Sequence, residues 1–447
     1  MEIQGNVFWQ GDDGYEQARQ DAVWNARKPQ RFPEVIVQAV SEDDVVAAVR
    51  LARERGLRVK ARSGGHSWSA SSVREGALLI DLSRLTGISF DPDTGIAAVQ
   101  PGGRGRELNS TLAEHGLFFP TGHCPTVGVG GYLLQGGWGW NSRALGPACV
   151  SVVGVDVVTA QGELIHADET QNNDFLWAAR GAGPGYFGVI TRFHLRAHPR
   201  AKSMLASYYV YPLELMDEVL RWSLEIADEM APELESAILG SNPRNPDGSL
   251  VPGPTAISIN AVAMTDSEEE ARDALAILET CPVLDRARVR ETAFPVTLDE
   301  LYDGANSTEP EGFRWAVDNM WSDASPDELL PAVRELFETV PTEVSHIFWY
   351  PWREQPIENA ALSVWGKLYI AAFAGWTDPS EDERHVRWST EQIRRLEPFS
   401  KGIQLADENL VNRNARYLAP ENELRLERLR AEHDPDGLFH SYLTTAG

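Results

Sequence analysis

Two glycine-rich segments carry the side chains best placed for chemistry. The first reads RSGGHSWS from Arg62 to Ser69 and has His66 directly after two glycines. The second reads GHCPTVGVGGYLLQGGWGW from Gly122 to Trp140 and has Cys124 near its start. A cysteine that follows a histidine and precedes a proline in such a turn indicates a chemical role rather than inert burial. The preceding histidine, His123, is interpreted as a structural neighbour.

The glycines in both segments favour the close approach of a ligand. A strand that ends in two glycines can direct backbone N–H groups into a concave site, which favours a phosphate or pyrophosphate group. The spacing matches neither GxxxxGK[ST] nor GxGxxG, so the two common phosphate loops are excluded. A plain tight turn is the alternative for this first loop. Six glycines between Gly128 and Gly139 lie in an apolar, strand-like context, which favours a flat, rigid ligand.

The elements that must position these loops begin with an alternating pattern from about residue 33 to 200. The strand EVIVQAV is followed by a helix for which Ser41 is the expected N-cap. The strand LRVKARSGG leads directly into the first glycine loop, and VSVVGVDVVTAQGELIHA predicts a hairpin. This region is therefore predicted to be α+β and rich in loops.

The pattern changes between about residues 201 and 399. Long amphipathic helices such as SEEEARDALAILET and SPDELLPAVRELFETV are interleaved with the strand-like runs TAISINAVAM and WGKLYIAAFAGW. More than half of the 14 tryptophans lie here, which indicates a large core or a large apolar pocket. A last helix is predicted to start near Pro420 and to stop at the DPDG of residues 434–437. We expect this final segment to lie on a surface, from which it could close back on the first domain.

Composition narrows the class of protein. A chain of 447 residues is too long for one ordinary core, and its formal net charge of -26 argues against nucleic acid and anionic membranes as partners. Three cysteines without a CxxC pair exclude a disulfide framework and argue against a zinc site, so no metal is expected. The sequence has neither a signal-peptide pattern nor a long apolar run, and we expect a soluble, cytoplasmic protein.

The two glycine loops resemble a known flavoprotein family. Together with the C-terminal ARYLAPEN and LRLERLRAEHDPDGLF, they are similar to the berberine bridge enzyme-like proteins of the vanillyl-alcohol oxidase and p-cresol methylhydroxylase superfamily. The resemblance covers both termini and most of the first 200 residues. It implies FAD with two covalent links, from a histidine to the 8α-methyl group of the flavin ring and from a cysteine to ring carbon 6. In this sequence these residues are His66 and Cys124.

The resemblance also implies a fold and a set of cofactor contacts. The expected protein is α+β, with a p-cresol methylhydroxylase-type FAD-binding domain and a substrate domain whose antiparallel sheet is backed by helices. Residues 1–200 would form the FAD-binding domain, residues 201–399 the substrate domain, and residues 400–447 a segment that returns to the FAD domain. Besides the two attachment residues, the expected FAD contacts are Arg62, Ser63, Gly64, Gly65, Ser67, Val127, Gly128, Gly130, Gly131, Gly136, Gly188 and Val189.

Two finer expectations concern the loops. Residues Ser63 to Ser67 and Gly128 to Gly131 are expected to direct N–H groups toward the pyrophosphate and the ring. Val127 lies three residues after the cysteine, at a position that gates dioxygen in the family, where valine goes with oxidases and leucine with dehydrogenases. The resemblance therefore favours an oxidase that passes hydride equivalents to dioxygen and forms hydrogen peroxide.

The substrate side departs from the family pattern. Relatives carry A-Y-x-N-Y beside the flavin, whereas GIQLADENL has Gln404 and Ala406 at the tyrosine and asparagine positions. The segment AALSVW lacks the histidine of T-A-F-P-H-R, and Gln135 replaces a glycine and either contacts the ring or fills space. A catalytic base must then come from elsewhere. The first candidates are Tyr350 and Asp407, followed by Tyr417, His346 and Tyr369, while Asn412 and Arg413 are candidates for binding substrate or flavin carbonyls.

The sequence thus predicts a flavin-dependent oxidase with FAD attached through His66 and Cys124. Its partners would be dioxygen and a small-molecule donor, namely an alcohol, a sugar, a phenol or an amine, and an apolar secondary metabolite suits the tryptophans. A dehydrogenase that uses another electron acceptor, an oxidative cyclase and a flavin carrier without turnover share the same motifs. The sequence leaves the oligomeric state open.

Overall fold

A computed structural model describes residues 2–242, 255–353 and 356–444. Most of the regular structure in these residues is β-sheet, with helices packed against the sheets. The strands are β1 (Asn6–Trp9), β2 (Val35–Gln38), β3 (Val59–Arg62), β4 (Leu78–Asp81), β5 (Ile88–Asp91), β6 (Ile96–Val99), β7 (Leu117–Phe118), β8 (Val152–Val158), β9 (Leu164–Asp168), β10 (Val189–Arg196), β11 (His198–Pro199), β12 (Ser203–Pro212), β13 (Leu234–Ser241), β14 (Ala256–Thr265), β15 (Val289–Pro295), β16 (Arg314–Ser322), β17 (His346–Pro351), β18 (Leu368–Trp376) and β19 (Ser400–Gly402). The helices are α1 (Tyr15–Asp21), α2 (Glu42–Arg55), α3 (Gly105–Ala113), α4 (Val129–Leu134), α5 (Ser142–Leu145), α6 (Asn173–Ala179), α7 (Met216–Glu225), α8 (Glu268–Ala276), α9 (Leu298–Thr308), α10 (Pro326–Glu338), α11 (Asp382–Arg395) and α12 (Pro420–His433).

The first sheet positions the first glycine loop. Its order is β1-β2-β4-β3, and β2, β4 and β3 run parallel. Helix α2 covers it with buried Val45 and Val49, and Ser41 caps that helix by accepting a hydrogen bond from the backbone N–H of Asp44 at 3.2 Å. Because β3 ends at Arg62, the loop that contains His66 leaves the carboxyl edge of this sheet. The predicted strand, cap and loop order is confirmed.

The second sheet is antiparallel and has the order β5-β6-β10-β8-β9. Strands β8 and β9 form the predicted hairpin, and Gly162 in its turn has a φ of 73°. Val155 and Val157 of β8 are two residues apart, so they point to the same face of the sheet, and both are fully buried in the core. Helices α3, α4, α6 and α12 contribute residues to the same core.

The third sheet is antiparallel throughout and has the order β15-β12-β14-β13-β17-β18-β16-β19. One face packs against helices α7, α8, α10 and α11 through a large aliphatic core. The other face carries an aromatic cluster that includes Trp315, Trp321, Trp352, Tyr369 and Phe373. This arrangement confirms the predicted α+β fold with an antiparallel sheet backed by helices.

The C-terminal segment contacts all three large sheets. Strand β19 pairs with β16 at the edge of the third sheet. Further along, Phe439 bridges to Val59 of β3 in parallel, and Leu426 and Leu429 of α12 enter the core of the second sheet. These contacts agree with a return of the chain to the first region after residue 402, while the three-part domain division stays a prediction.

One local prediction was wrong. The glycine-rich segment around Gly128 to Gly139 was expected to be strand-like, but residues Val129–Leu134 form α4. The apolar residues Val129, Tyr132 and Leu133 have the spacing i, i+3, i+4, which is helical, and this period outweighs the low helix propensity of glycine. No helix among the described residues is long and apolar enough to cross a membrane.

Candidate active site

A cavity of about 980 Å³ lies between the two glycine loops and the aromatic face of the third sheet. Its size is at the upper end of ligand-binding pockets, which run to about 1,000 Å³. One end is lined by the end of β3 and the first loop, and by Gly188, Val189 and Ile190. The other end is lined by aromatic and acidic side chains of the third sheet and of the loop after α9.

The first loop offers unused hydrogen-bond donors to this cavity. Gly65 has a φ of +75°, and a side chain there would also clash with the carbonyl oxygen of Ala22, 2.6 Å from an added Cβ. Within the described residues, no acceptor contacts the N–H groups of Gly64, Gly65, His66 and Ser67. Free amides in a glycine turn form a site for an anion, as the sequence predicted for this loop.

Lys60 adds a buried amine to the lining of the same cavity. Its ammonium donates to the carbonyl oxygens of Pro184 at 2.7 Å and His440 at 3.0 Å. In the part of the chain that the structure describes, no carboxylate lies within 4 Å of it, and burial lowers its pKa well below the usual value. A buried lysine without a counter-ion beside free amides suits a pyrophosphate. Sequence reasoning missed this residue, although a lysine inside a buried strand was a usable signal.

The second loop uses its glycines differently from the prediction. A Cβ added to Gly64 would lie 2.6 Å from the backbone nitrogen of Gly128, so the two loops touch backbone to backbone. The N–H groups of Val129 and Gly130 donate to the carbonyl oxygens of Gly103 and Pro101.

The N–H of Gly131 donates to Ser63 Oγ at 3.1 Å. The N–H groups of residues 129–131 are therefore used within the protein, so the expectation that they direct amides to a ligand was wrong for these three residues. The loop positions side chains instead.

His66 and Cys124 face the cavity and share one partner, the hydroxyl of Thr126. Thr126 Oγ1 lies 3.1 Å from His66 Nε2 and 3.3 Å from Cys124 Sγ. Trp24 stacks on the His66 ring with centroids 4.8 Å apart. The two predicted attachment residues, which are far apart in sequence, thus lie at the same wall of the cavity. Thr126 was not singled out from the sequence, although it lies inside the motif.

Burial sets the protonation of both residues. It lowers the pKa of His66 to about 4, so its imidazole is neutral at pH 7. It raises the pKa of the Cys124 thiol, and the hydrogen bond from Thr126 partly offsets that rise. A neutral imidazole is a nucleophile, whereas the thiol must lose a proton before it can react.

The other residues expected to contact the cofactor either line the cavity or lie outside it. Arg62 lines the cavity, but its guanidinium is held by Asp81 at 3.1 Å and by the carbonyl oxygen of Ser63 at 2.8 Å, so it fixes the start of the loop. Gly136 does not line the cavity, because it lies against Leu362 and its carbonyl accepts from Cys149. The remaining expected contacts reach the cavity wall, namely Ser63, Gly64, Gly65, Ser67, Val127, Gly128, Gly130, Gly131, Gly188 and Val189.

Asp407 lines the cavity and is held by two donors. Trp68 Nε1 donates to its Oδ1 at 2.8 Å, and the hydroxyl of Tyr369 donates to its Oδ2. Burial raises the pKa of Asp407 above its ordinary value, and these hydrogen bonds oppose the rise. Burial also raises the pKa of Tyr369 well above normal, with the charge of Asp407 adding to the effect. The pair can therefore hold or move one proton at the Tyr369 oxygen.

Tyr350 lines the cavity beside a second carboxylate, Glu235. Burial, and then the charge of Glu235, raises the pKa of Tyr350 well above its ordinary value, so its hydroxyl is a donor rather than a base at neutral pH. Glu235 accepts from His123 Nε2 and from the N–H of Asn141 at 3.0 Å. Burial lowers the pKa of His123, but Glu235 reverses this and raises it. Glu235 was missed because nothing in its strand marks it as functional.

Three other candidates lie away from the cavity. Tyr417, which was expected to be catalytic, packs on Tyr442 with ring centroids 4.2 Å apart and does not line the wall. Arg413 pairs with buried Asp318, with Nη2 and Oδ1 2.7 Å apart, and Asn412 bonds to Asn409. Their roles are structural. Gln135 does line the cavity, and its Nε2 donates to the carbonyl oxygen of Leu405 at 3.0 Å.

A separate polar cluster lies on the second sheet, outside the cavity. Asp156 contacts His166 Nδ1 at 2.6 Å and His194 Nε2 at 3.2 Å, and the three residues are close enough to surround a cation. Arg192 approaches the same carboxylate at 3.5 Å. The cluster therefore already contains a positive partner for Asp156.

Comparisons with known proteins agree with this geometry. Residues 33–168 match the family model described as "FAD binding domain". The chain is 34% identical over 430 residues to the FAD-linked oxidoreductase nodO of Hypoxylon pulicicidum, covering 94% of this chain and 93% of that protein.

Two solved structures share the fold. The 6-hydroxy-D-nicotine oxidase of Arthrobacter nicotinovorans superposes with a TM-score of 0.85 at 22% identity, covering 100% of this chain and 99% of that one. BBE-like 1 of Physcomitrella patens superposes with a TM-score of 0.82 at 19% identity, covering 98% and 96%. The chain therefore belongs to the FAD-linked oxidoreductases, is an FAD-dependent oxidoreductase, and shares its fold with a berberine bridge enzyme-like protein.

Proposed function

We propose that this protein is an oxidase that holds FAD through covalent bonds to His66 and Cys124 and oxidises a small-molecule donor with dioxygen. The observation that carries the proposal is the shared contact of both side chains with Thr126 at the cavity wall. When bound, FAD would supply the acceptor for a hydride from the donor and the means to pass the electron pair to dioxygen, which would form hydrogen peroxide. The protein supplies binding, orientation and proton transfer.

The Thr126 hydroxyl has one proton, so it can donate a hydrogen bond to only one of its two partners, His66 or Cys124. If this proton is donated to the Cys124 sulfur, Thr126 must accept from His66 Nε2–H. Nδ1 of His66 then carries the free lone pair, which a nucleophilic imidazole needs. The same donated proton stabilises the thiolate of Cys124. One hydroxyl therefore prepares both side chains for bond formation.

The formation of each covalent bond to FAD is an oxidation, so it needs an electron acceptor. Each bond joins a protein N–H or S–H group to a flavin C–H position, and it releases two protons and two electrons. We propose dioxygen as the acceptor of those electrons, so that one hydrogen peroxide forms for each bond. This requirement is consistent with an enzyme whose catalytic acceptor is also dioxygen.

The polar groups at the other end of the cavity fit the rest of the cofactor. The free N–H groups of Gly64 to Ser67 would bind the pyrophosphate. The N–H groups of Lys60 already donate to the carbonyl oxygens of Pro184, His440 and Ser441, so Lys60 would contribute charge rather than a hydrogen bond, because a phosphate nearby opposes the effect of burial on its pKa. Gly188 and Val189 would contact the adenosine side. The sequence had indicated the loop for this role, and Lys60 adds the charge.

Proton transfer from the donor is assigned to Asp407 through Tyr369. The Tyr369 hydroxyl can accept a donor's proton while its own proton passes to Asp407. This assignment keeps Asp407 from the sequence-based candidates and gives Tyr350 a hydrogen-bonding role. Val127 lines the cavity beside Cys124 and, with the small side chain expected of oxidases, supports dioxygen as the acceptor.

The test uses the purified protein and three variants, His66→Ala, Cys124→Ala and the double variant. After acid precipitation, yellow colour that pellets with the wild type and each single variant, but washes free from the double variant, supports two links. Peroxide release with a donor, and reoxidation of reduced flavin in air within seconds, support an oxidase. Colour that washes free from the wild type contradicts covalent attachment, and slow reoxidation in air favours the dehydrogenase.

A further inference from the structure

The charges that line the cavity are unevenly distributed. The lysine and arginine side chains that reach it from the described residues are Lys60 and Arg62 on β3, and the exposed Arg288. The first two lie at the end assigned to the pyrophosphate, and Arg62 is already bound to Asp81. The opposite end has an excess of carboxylates, namely Glu235, Glu309 and Asp407 inside and the exposed Glu291, Glu300 and Glu343.

Of the three inner carboxylates, Glu309 has the fewest partners. Asp407 is held by Trp68 and Tyr369, and Glu235 is held by His123 and a backbone N–H. The described contact of Glu309 is an approach of 3.4 Å to His346 Nε2, and its side chain is 18% exposed. Its carboxylate is therefore the inner acidic group with the most unused acceptor capacity.

Glu309 also lies close to the reacting groups. Its negative charge acts on four surrounding side chains and favours the protonated form of each, namely His123, Cys124, Tyr369 and Asp407. Glu309 lines the same cavity as these four residues, and its Oε1 lies 3.4 Å from Nε2 of His346, whose ring stacks on Phe373 of the aromatic face. The loop after α9 thus contributes a carboxylate to the wall of the cavity.

Aromatic rings complete this end of the cavity. Trp138 contacts Trp321 and Trp352 with ring centroids 5.1 and 4.6 Å apart, and Trp321 contacts Tyr369 at 5.0 Å. All four rings line the cavity wall. Aromatic faces together with a carboxylate are the surroundings that stabilise an organic cation.

From this juxtaposition we propose that the donor is an amine bound as its ammonium ion, and that Glu309 binds the ammonium group. The aromatic rings would enclose the apolar part of the donor. Hydride can leave the carbon next to nitrogen only after the ammonium group has lost a proton and its nitrogen has a lone pair, and the Tyr369–Asp407 pair would accept that proton. This inference rests on the proposed function, because it selects one substrate class for the same site. The neutral donors, namely alcohols, sugars and phenols, would leave the Glu309 carboxylate without a charged partner.

The experiment compares matched probes on the flavin-containing protein. Benzylamine and benzyl alcohol have the same ring and similar volume but differ in charge at pH 7, and 2-phenylethylamine and 2-phenylethanol form a second pair. Benzyltrimethylammonium serves as a cation without N–H groups. Binding is measured by titration calorimetry without oxygen, in the wild type, in Glu309→Gln and in Glu343→Gln, whose altered carboxylate is exposed at the same cavity.

We expect each amine to bind about tenfold more tightly than its alcohol, because a hydrogen bond to a charged group is stronger than one between neutral groups. Glu309→Gln should weaken amine binding by about tenfold and leave the alcohols unchanged, whereas Glu343→Gln should have a smaller effect because solvent screens an exposed charge. Equal affinity within both pairs, no binding of either amine, or an unchanged amine affinity in Glu309→Gln would overturn the inference. These readings need no turnover, so they remain distinct from a failure of covalent attachment in the acid-precipitation test.

Discussion

Replacing Thr126 with valine removes one hydroxyl and keeps the shape of the side chain. In the structure that hydroxyl contacts both His66 and Cys124, so the variant tests whether the contact prepares them for attachment. A hydrogen bond to a charged group contributes about 1.5 kcal/mol at the lower end of its range, which corresponds to about tenfold in an equilibrium constant. We therefore expect about a tenfold smaller thiolate population at Cys124 and a matching decrease in the rate at which its bond forms.

The assay follows attachment over time. Apoprotein from a riboflavin-auxotrophic host is mixed with FAD, and mass spectrometry of tryptic peptides gives the modified fraction of each attachment residue. Because burial raises the pKa of the Cys124 thiol and Thr126 opposes that rise, the rate in the variant should reach its plateau about one pH unit higher than in the wild type. Attachment at His66 should slow less, since only its tautomer preference is lost.

Thr126→Ser is the matched control, because serine retains the hydroxyl and loses a methyl group. It should attach FAD at nearly the wild-type rate. The reasoning is refuted if Thr126→Val attaches at the wild-type rate with an unchanged pH profile, or if the serine variant is as slow as the valine variant. The second result would show that packing, rather than the hydroxyl, is what matters.

Three further predictions concern the site and its supports. Asp407→Asn should lower kcat by about 10²- to 10⁴-fold, as expected for loss of a proton acceptor. In the wild type the pKa of Asp407 is raised, so kcat should fall as the pH drops through that pKa. A pH profile of kcat that stays flat down to pH 4 would contradict the assignment. Burial raises the pKa of Glu408 from 4.5 to about 7. Between these two pH values the folded state keeps a proton that the unfolded chain has lost. The free energy of unfolding should therefore decrease by about 3 kcal/mol as the pH rises from about 4.5 to about 7. Urea unfolding at several pH values should show this decrease in the wild type and not in Glu408→Gln. Gly64→Ala should reduce the flavin content and lower Tm, because its Cβ would lie 2.6 Å from Gly128 N. Gly76→Ala has open space around it but a φ of +62°, which strains an alanine, so it should lower Tm and yet retain the flavin. Equal flavin content in the two variants would show that the loop contact is not required.

The sequence predicted the elements whose signals are local. The N-cap at Ser41, the hairpin of β8 and β9 and the glycine loop after β3 each depend on residues within a few positions of one another, and all three are confirmed. Helix α4 was missed because its many glycines concealed a helical spacing of apolar residues. Short-range patterns thus located the loops but assigned the wrong conformation where two signals conflicted.

Residues that function through long-range contacts were not predictable. Glu309 follows a helix of ordinary composition, and its place in the cavity wall beside His346 depends on how the loop after α9 packs against the third sheet. Tyr417, in contrast, was a candidate for the catalytic base in the sequence, yet it packs on Tyr442. The difference between a carboxylate in the cavity and a tyrosine outside it is set by tertiary packing, which a single sequence does not contain.

The position of His66 and Cys124 on one wall has a consequence for the unfolded chain. With both bonds formed, the flavin ring cross-links two segments as a disulfide would, and it closes a loop of about 60 residues. In the chain-entropy treatment, closing such a loop lowers the conformational entropy of the unfolded chain, which raises its free energy by about 4 kcal/mol at 25 °C. The doubly attached cofactor would then stabilise the fold by restricting the unfolded chain, in addition to any contacts that it makes in the folded state. A variant that keeps only one of the two attachment residues would lose this contribution entirely.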